Sequence, residues 1–252
     1  MNQDLSSVLD LASDIGKLLL SNGAETYRVE DTVYRVISHY GGENVNVYAV
    51  PNCIIISAED KDSRVYNRLL RVTERNTHLG KVRRGNELSR QITGKNLSVT
   101  EAYELLQDIQ MSQGDYTQTL HHLAASALCA MFTILYNNGS FDNVLAGLIC
   151  GFAAFFAFNY LNKLTNIQFF SEMGSGFVAG WVAFFLVSVS IGNNMNIIIL
   201  SSVMPMVPGR AITTGFRDLM ASDYVSGVSI LADAMLTAGA IGIGVAGVLA
   251  IV

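Results

Sequence analysis

The sequence predicts an α-helical membrane protein, with five transmembrane helices, carrying an N-terminal cytoplasmic α+β domain. Three observations predict it. The chain has 252 residues, of which 50% are hydrophobic and only 15% charged, against about 25% charged in ordinary soluble domains. The charge is also unevenly spread: residues 1–116 hold 13 of the 16 Lys and Arg and 16 of the 21 Asp and Glu. Finally, residues 116–141, 143–162 and 173–209 contain no Lys, Arg, Asp or Glu, and about 20 apolar residues suffice to cross the hydrocarbon core. The expected division is therefore a cytoplasmic α+β domain over residues 1–116 and a five-span domain over residues 117–252.

The first domain opens with apolar residues at helical spacing, Leu5, Val8, Leu9, Ala12, Ile15 and Leu19. Asn22-Gly23 is a helix stop signal. A second helix carries Val29, Val33, Val36, Ile37 and Tyr40 on one face and ends at Gly41-Gly42. Between them, Glu25 and Arg28 stand one turn apart and are placed to pair. Two readings of this stretch stay open: a capped helical hairpin with a solvated ion pair, or a docking or sensing surface near the membrane.

The period then changes. Asn44–Tyr48 alternates and Cys53–Ser57 is rich in β-formers; Pro51-Asn52 between them signals a hairpin turn. Val65–Val72 adds a third strand, a helix comes next near Asn76–Thr93, and Ser98-Val99-Thr100-Glu101 is a capping-box pattern that opens another, to about Met111. Arg64, Arg68, Arg71, Arg75, Lys81, Arg83 and Arg84 crowd this region. The interleaved Glu59, Asp60, Asp62 and Glu74 make a solvated or acid-paired face the default, with contact to anionic lipid heads the other reading. His39 and His78 are isolated. No phosphate loop, metal spacing or nucleophile motif is present, so neither an enzyme nor a cofactor is expected. The net charge of −5 gives no hint of nucleic acid. Cys53, Cys129 and Cys150 read as small buried hydrophobes. Met1-Asn2-Gln3-Asp4 lacks the basic start of a signal peptide.

Two spans flank a turn at Asn137–Ser140. The third runs about Met173–Ile191, and Gly192-Asn193-Asn194 turns into the short run Ile197–Met204. Two of the three prolines, Pro205 and Pro208, end that run, with Gly209 and Arg210 directly after. Proline removes a backbone donor and clashes with the preceding turn. Within a membrane such a break is tolerated where it is buried in protein or lines a wet cavity, and broken helices build many transporter sites. Ala211–Phe216 continues the path as a second half-helix, and Tyr224–Val252 is the last span. With the N-terminal domain and its 13 Lys and Arg inside, Lys163 and Arg217 fall in inner loops and the turns without Lys or Arg lie outside. That gives five spans; four spans, with 197–218 re-entrant, is the alternative. Gly147 and Gly151, Gly176 and Gly180, and Gly239, Gly242, Gly244 and Gly247 read either as lipid-tolerant small residues or as spacing for tight packing against another subunit.

Ionisable groups inside spans cost a few kcal/mol and face a cavity or a partner. Asp233 lies about 10 residues into the last span and is a candidate proton carrier. Arg210 pairs with Asp233, contacts an anionic substrate, or is a cytoplasmic-edge residue of no special role. Arg217, Asp218 and Asp223 are interfacial candidates, and Glu172 begins a span at the interface. Thr213 and Thr214 offer hydroxyls past the break, although such groups often satisfy their own backbone. The predicted pathway set is Pro205, Pro208, Gly209, Arg210, Thr213, Arg217, Asp218 and Asp233.

Pro205–Gly209, Thr213–Asp218 and Asp223-Tyr224-Val225-Ser226-Gly227 together resemble the core signature of the threonine/serine exporter family. The stretch with Gly23, Glu25, Thr26, Arg28 and Glu30 is similar to that family's N-terminal signature. The resemblance implies an inner-membrane exporter module with a cytoplasmic N-terminus and five spans. It implies the large subunit of a split exporter, working with a small membrane subunit and driven by the proton motive force. Substrates in the family include threonine and serine, and a related pair exports succinate. Arg210 departs from the small or apolar residue more usual after Pro-Gly. The expected partners are that small subunit, further copies of the chain, a small-molecule substrate and membrane lipids. The competing expectation is a membrane-anchored regulatory or scaffolding subunit whose soluble domain is the working part.

Overall fold

The structure of the protein is a computed structural model that describes residues 4–73, 76–112 and 116–252. The Met1–Gln3 start, together with Glu74 and Arg75 of the charged stretch, lies outside the described residues. The chain divides into two compact units, one of residues 1–115 with 218–229 and one of residues 116–217 with 230–252.

In the first unit, α1 (Leu5–Ser21) and α2 (Thr26–His39) form a helical hairpin. Asp4 caps α1 by accepting from Ser6 N–H. Asn22 closes the helix, and Gly23 takes φ +89°, a left-handed conformation that favours glycine. Gly16 marks a tight crossing, since a Cβ there would stand 2.9 Å from Val33 Cγ2. Strands β1 (Glu43–Val50), β2 (Cys53–Glu59) and β3 (Val65–Arg71) form an antiparallel sheet in sequence order. Ile54, Ile56 and Ala58 are buried while Ile55 and Leu69 are exposed, so one face of the sheet is packed and the other open. Helix α3 (Leu79–Lys95) starts three residues later than the sequence suggests because His78 caps it, its Nδ1 accepting from Lys81 N–H at 3.2 Å. Helix α4 (Val99–Met111) opens on the expected capping box: Ser98 Oγ accepts from Glu101 N–H and Glu101 Oε2 accepts from Ser98 N–H. Arg68 pairs with Asp10 of α1 at 2.9 Å.

The second unit contains α5 (Gln118–Tyr136), α6 (Val144–Thr165) and α7 (Gln168–Ser188), each long and apolar enough to cross a membrane. Next come α8 (Met195–Val203), a 3₁₀ turn over Met204–Met206 and α9 (Gly209–Met220), and then α10 (Tyr224–Leu249), a fourth such helix. The α8–α9 pair is bent by 60° at the break, so the candidate spans number four, or five if the bent pair is one span.

Small residues set the packing. Gly147 of α6 leaves room only for Thr133 of α5, whose hydroxyl donates to Ser201 Oγ of α8 at 2.8 Å. Gly151 faces Cys129 in the same way. Asn143 is fully buried before α6 and ties two turns together: its Oδ1 accepts from Asn193 and Asn194 N–H, and its amide donates to Asn193 Oδ1 at 2.7 Å. Cys129 and Cys150 are buried free thiols and Cys53 is half-buried.

Candidate functional site around the proline break

The break is built from its own backbone chemistry. Pro205 sits in the 3₁₀ turn, where φ is already suitable. Val207 is extended and ends the turn, Gly209 N–H bonds Val207 O at 2.8 Å, and Pro208 O accepts the first bond of α9, from Ile212 N–H. Pro208 thus stands just outside the new helix. No other atom lies within 4 Å of a Cβ placed on Gly209. Thr213 Oγ1 donates to Arg210 O at 2.9 Å, so it serves its own backbone. Arg210 and Arg217 lie seven residues apart and share one face of α9, with Arg210 exposed and Arg217 half-buried.

The break meets α7 at Ser175. This fully buried serine donates to Ala154 O of α6 at 2.9 Å, and its hydroxyl lies 2.8 Å from Met206 Sδ. One turn nearer the start of α7 is Glu172. It is only 3% exposed, and Gln168 Nε2 donates to its Oε1 at 2.7 Å. Thr237 of α10, also buried, stands against the same carboxylate, and Asp233 is near enough for its charge to act on it.

Glycine contacts fix the register between α7 and α10. A Cβ on Gly176 would stand 2.6 Å from Ile241 O, and one on Gly180 would stand 2.8 Å from Val248. Gly244 packs against the Met173 carbonyl. The two helices therefore run in the same direction, with Glu172 opposite Thr237. Asp233, four residues earlier, is level with the first turn of α7 and is exposed. The sequence suggests a carboxylate deep in the last span and an interfacial Glu172. In the structure Glu172 is the enclosed carboxylate and Asp233 the exposed one, about 6 Å nearer the start of α10 than Thr237. A clue is present in the sequence: Ser171, Glu172, Ser175, Gly176, Ala179 and Gly180 recur at helical spacing within an apolar run.

The N-terminal motif is organised separately, in the first unit. Half-buried Glu25 pairs at 3.0 Å with exposed Arg28, which lies 5.8 Å over the Tyr27 ring. Thr26 points inward. It is buried, with its hydroxyl 3.3 Å from Ser226 Oγ and 3.5 Å from Asp218 Oδ2. Ser226 donates to the same Asp218 oxygen at 2.8 Å. Glu30 Oε1 accepts from Ala49 N–H at 2.8 Å. Burial pushes the Glu30 carboxyl above its usual range, opposed by the Ala49 bond and reinforced by the negative charges of Asp223 and Asp218. Thus Asp218, predicted beside the pathway, stands among the N-terminal motif residues. Gly23 supplies the turn before them.

Each arrangement has its own chemistry. The Glu172 group offers a carboxylate, an amide and two hydroxyls in an otherwise apolar helical packing. The Thr26 group is a buried hydroxyl–carboxylate lock. Among the described residues no set of three or more His, Cys, Asp or Glu is grouped to hold a metal ion.

A family model described as "Putative threonine/serine exporter" matches residues 10–252. No curated protein and no solved structure matches the chain.

Proposed function

Because the chain belongs to the threonine/serine exporter family, we propose that it is a subunit of a secondary exporter that moves threonine, serine or a similarly small polar metabolite outward past the proline break. The match over residues 10–252 carries this reading. With its four to five apolar helices, the chain is a multi-pass membrane protein, and membership of a transporter family implies that it is not an enzyme.

The finer parts of the proposal rest on physical arguments. The proton motive force is the energy source. The N-terminal domain, which holds 13 of the 16 Lys and Arg, lies in the cytoplasm beneath an inner membrane, since Lys163 and Arg217 then also fall on the inner side. The bent α8–α9 pair counts as one broken span, giving five. Pro205, Pro208, Gly209, Arg210, Thr213 and Arg217 line or support the path, because freed backbone is tolerated at membrane depth beside a protein or wet surface. A dicarboxylate such as succinate is the alternative cargo, with Arg210 and Arg217 on one face of α9 as its counter-charges.

A small membrane subunit completes the exporter. A groove of about 510 Å³ between α8 and α10, lined by Asn196, Leu200, Val203, Ala238, Gly242 and Val245, suits a helix from it. Beyond its own helix, a Cβ placed on Gly242 there meets nothing within 4 Å among the described residues.

The test is efflux. Cells lacking the protein, loaded with threonine- or serine-containing peptides, should retain more of the free amino acid than wild-type cells. Unchanged pools and efflux for threonine, serine and succinate alike would sink the proposal.

A further inference from the structure

We propose that Glu172 is the proton-binding carboxylate of the second unit, and that it exchanges its proton with solvent through Asp233. Three observations carry this, all within α7, the break and α10. Glu172 is enclosed, and the partners that hold it, Gln168 and Thr237, are neutral. The charge that acts on it is the like charge of Asp233. An ionised carboxylate in such surroundings is costly, and uptake of a proton offsets the cost.

The groups also stand in file. Asp233 and Thr237 are four residues apart on one face of α10, with Asp233 exposed and Thr237 buried against Glu172. Ser175, one turn beyond Glu172, touches Met206 in the break. A proton taken up by Asp233 passes to Glu172 by breaking one carboxyl O–H bond and forming another, with Thr237 as the hydroxyl between. Protonation at Glu172 is then felt one helical turn from the bend.

Among the described residues of the second unit, the other packed helices offer no competing carboxylate. Helix α8 carries no ionisable side chain, and α6 brings Lys163 and Tyr160, both exposed, and the buried thiol Cys150. Helix α9 brings Arg210 and Arg217.

The coupling part of this inference rests on the proposed exporter function, so the test has two arms. The first arm needs no transport. Infrared difference spectra of the purified full-length protein, between acid and neutral pH, should contain a protonated-carboxyl band that disappears in Glu172→Gln. Retention of every such band in Glu172→Gln overturns the proposal. The second arm uses vesicles containing the protein with its partner subunit. Glu172→Gln should keep threonine exchange at equal pH but lose the acceleration produced by a pH gradient. Glu172→Asp should keep coupling with a displaced pH profile, and Asp233→Asn should slow the gradient-driven phase. A Glu172→Gln protein that still responds to the gradient overturns it. Wild-type vesicles that exchange neither threonine, serine nor succinate would count against the exporter reading alone, leaving the infrared arm to decide Glu172.

Discussion

Ser226 donates a 2.8 Å hydrogen bond to Asp218, and both side chains are buried. Thr26, 192 positions from Asp218, shares that carboxylate. Two pieces of the family resemblance, far apart in sequence, are thus one hydrogen-bonded group. Asp218→Ala would take the shared acceptor from two buried hydroxyls that stand 3.3 Å apart, so that one of their protons loses its acceptor, and an unsatisfied buried polar group costs about 1–3 kcal/mol. The expected outcome is a lower unfolding temperature of the purified protein and faster amide exchange over residues 26–30. Asp218→Asn, which keeps an acceptor, should lie between this and wild type. Unchanged exchange in the alanine variant would show that the group does not hold the motif.

Glu30 gives the first unit a pH dependence. Its carboxyl is raised above the usual value of 4.5, first by burial and then by Asp223 and Asp218. A raised carboxyl binds its proton more tightly in the folded than in the unfolded state. Its contribution to stability is therefore fullest below about pH 4.5 and is lost as pH rises through the folded value. Asp14, raised chiefly by burial, acts in the same direction. The stability of the first unit should therefore fall from pH 4.5 upward, while the Ala49 amide, which donates more strongly to the ionised carboxylate, keeps its local protection. Glu30→Gln should flatten that dependence, and Glu30→Ala should remove the protection at every pH.

Local signals were legible in the sequence where a single turn decides the outcome. Asn22-Gly23 ends α1, Pro51-Asn52 turns the hairpin, and Ser98 with Glu101 starts α4. The break was legible for the same reason, since Pro205 and Pro208 act on the backbone beside them. The enclosure of Glu172 was not. It depends on the register between two helices, set by the approach of Gly176 to the Ile241 carbonyl, and one sequence does not reveal which pair of helices meets. The pairing of Arg68 with Asp10 and of Thr26 with Asp218 is hidden likewise, because each joins residues far apart in the chain.

Asn143 should be costly to remove. Its carbonyl accepts from two backbone N–H groups, Asn193 and Asn194, in a fully buried position. Asn143→Ala leaves both without this acceptor, at about 1–3 kcal/mol for each group that finds no other. Asn143→Asp keeps the acceptor but puts a charge beside Asn193 Oδ1 and should be intermediate. Thermal unfolding in detergent measures the order. An alanine variant as stable as wild type would mean that water replaces the side chain.

The glycines of α7 and α10 separate packing within the chain from packing against a partner. Gly176→Ala would drive its methyl group into the Ile241 backbone, and Gly244→Ala into the Met173 carbonyl. Backbone atoms yield only if the helices part, and overpacking of this kind costs about 1–3 kcal/mol. Both variants should destabilise the isolated protein. Gly239→Ala and Gly242→Ala meet nothing within 4 Å. Within the chain they should be neutral or mildly stabilising, since alanine favours helix over glycine by about 1 kcal/mol. If the α8–α10 groove receives the helix of a small subunit, Gly242→Leu should leave the isolated protein's unfolding temperature unchanged and abolish co-purification with that subunit. Full co-purification in Gly242→Leu would place the subunit elsewhere. A lowered unfolding temperature in Gly242→Ala would show that the face is already packed by the chain itself.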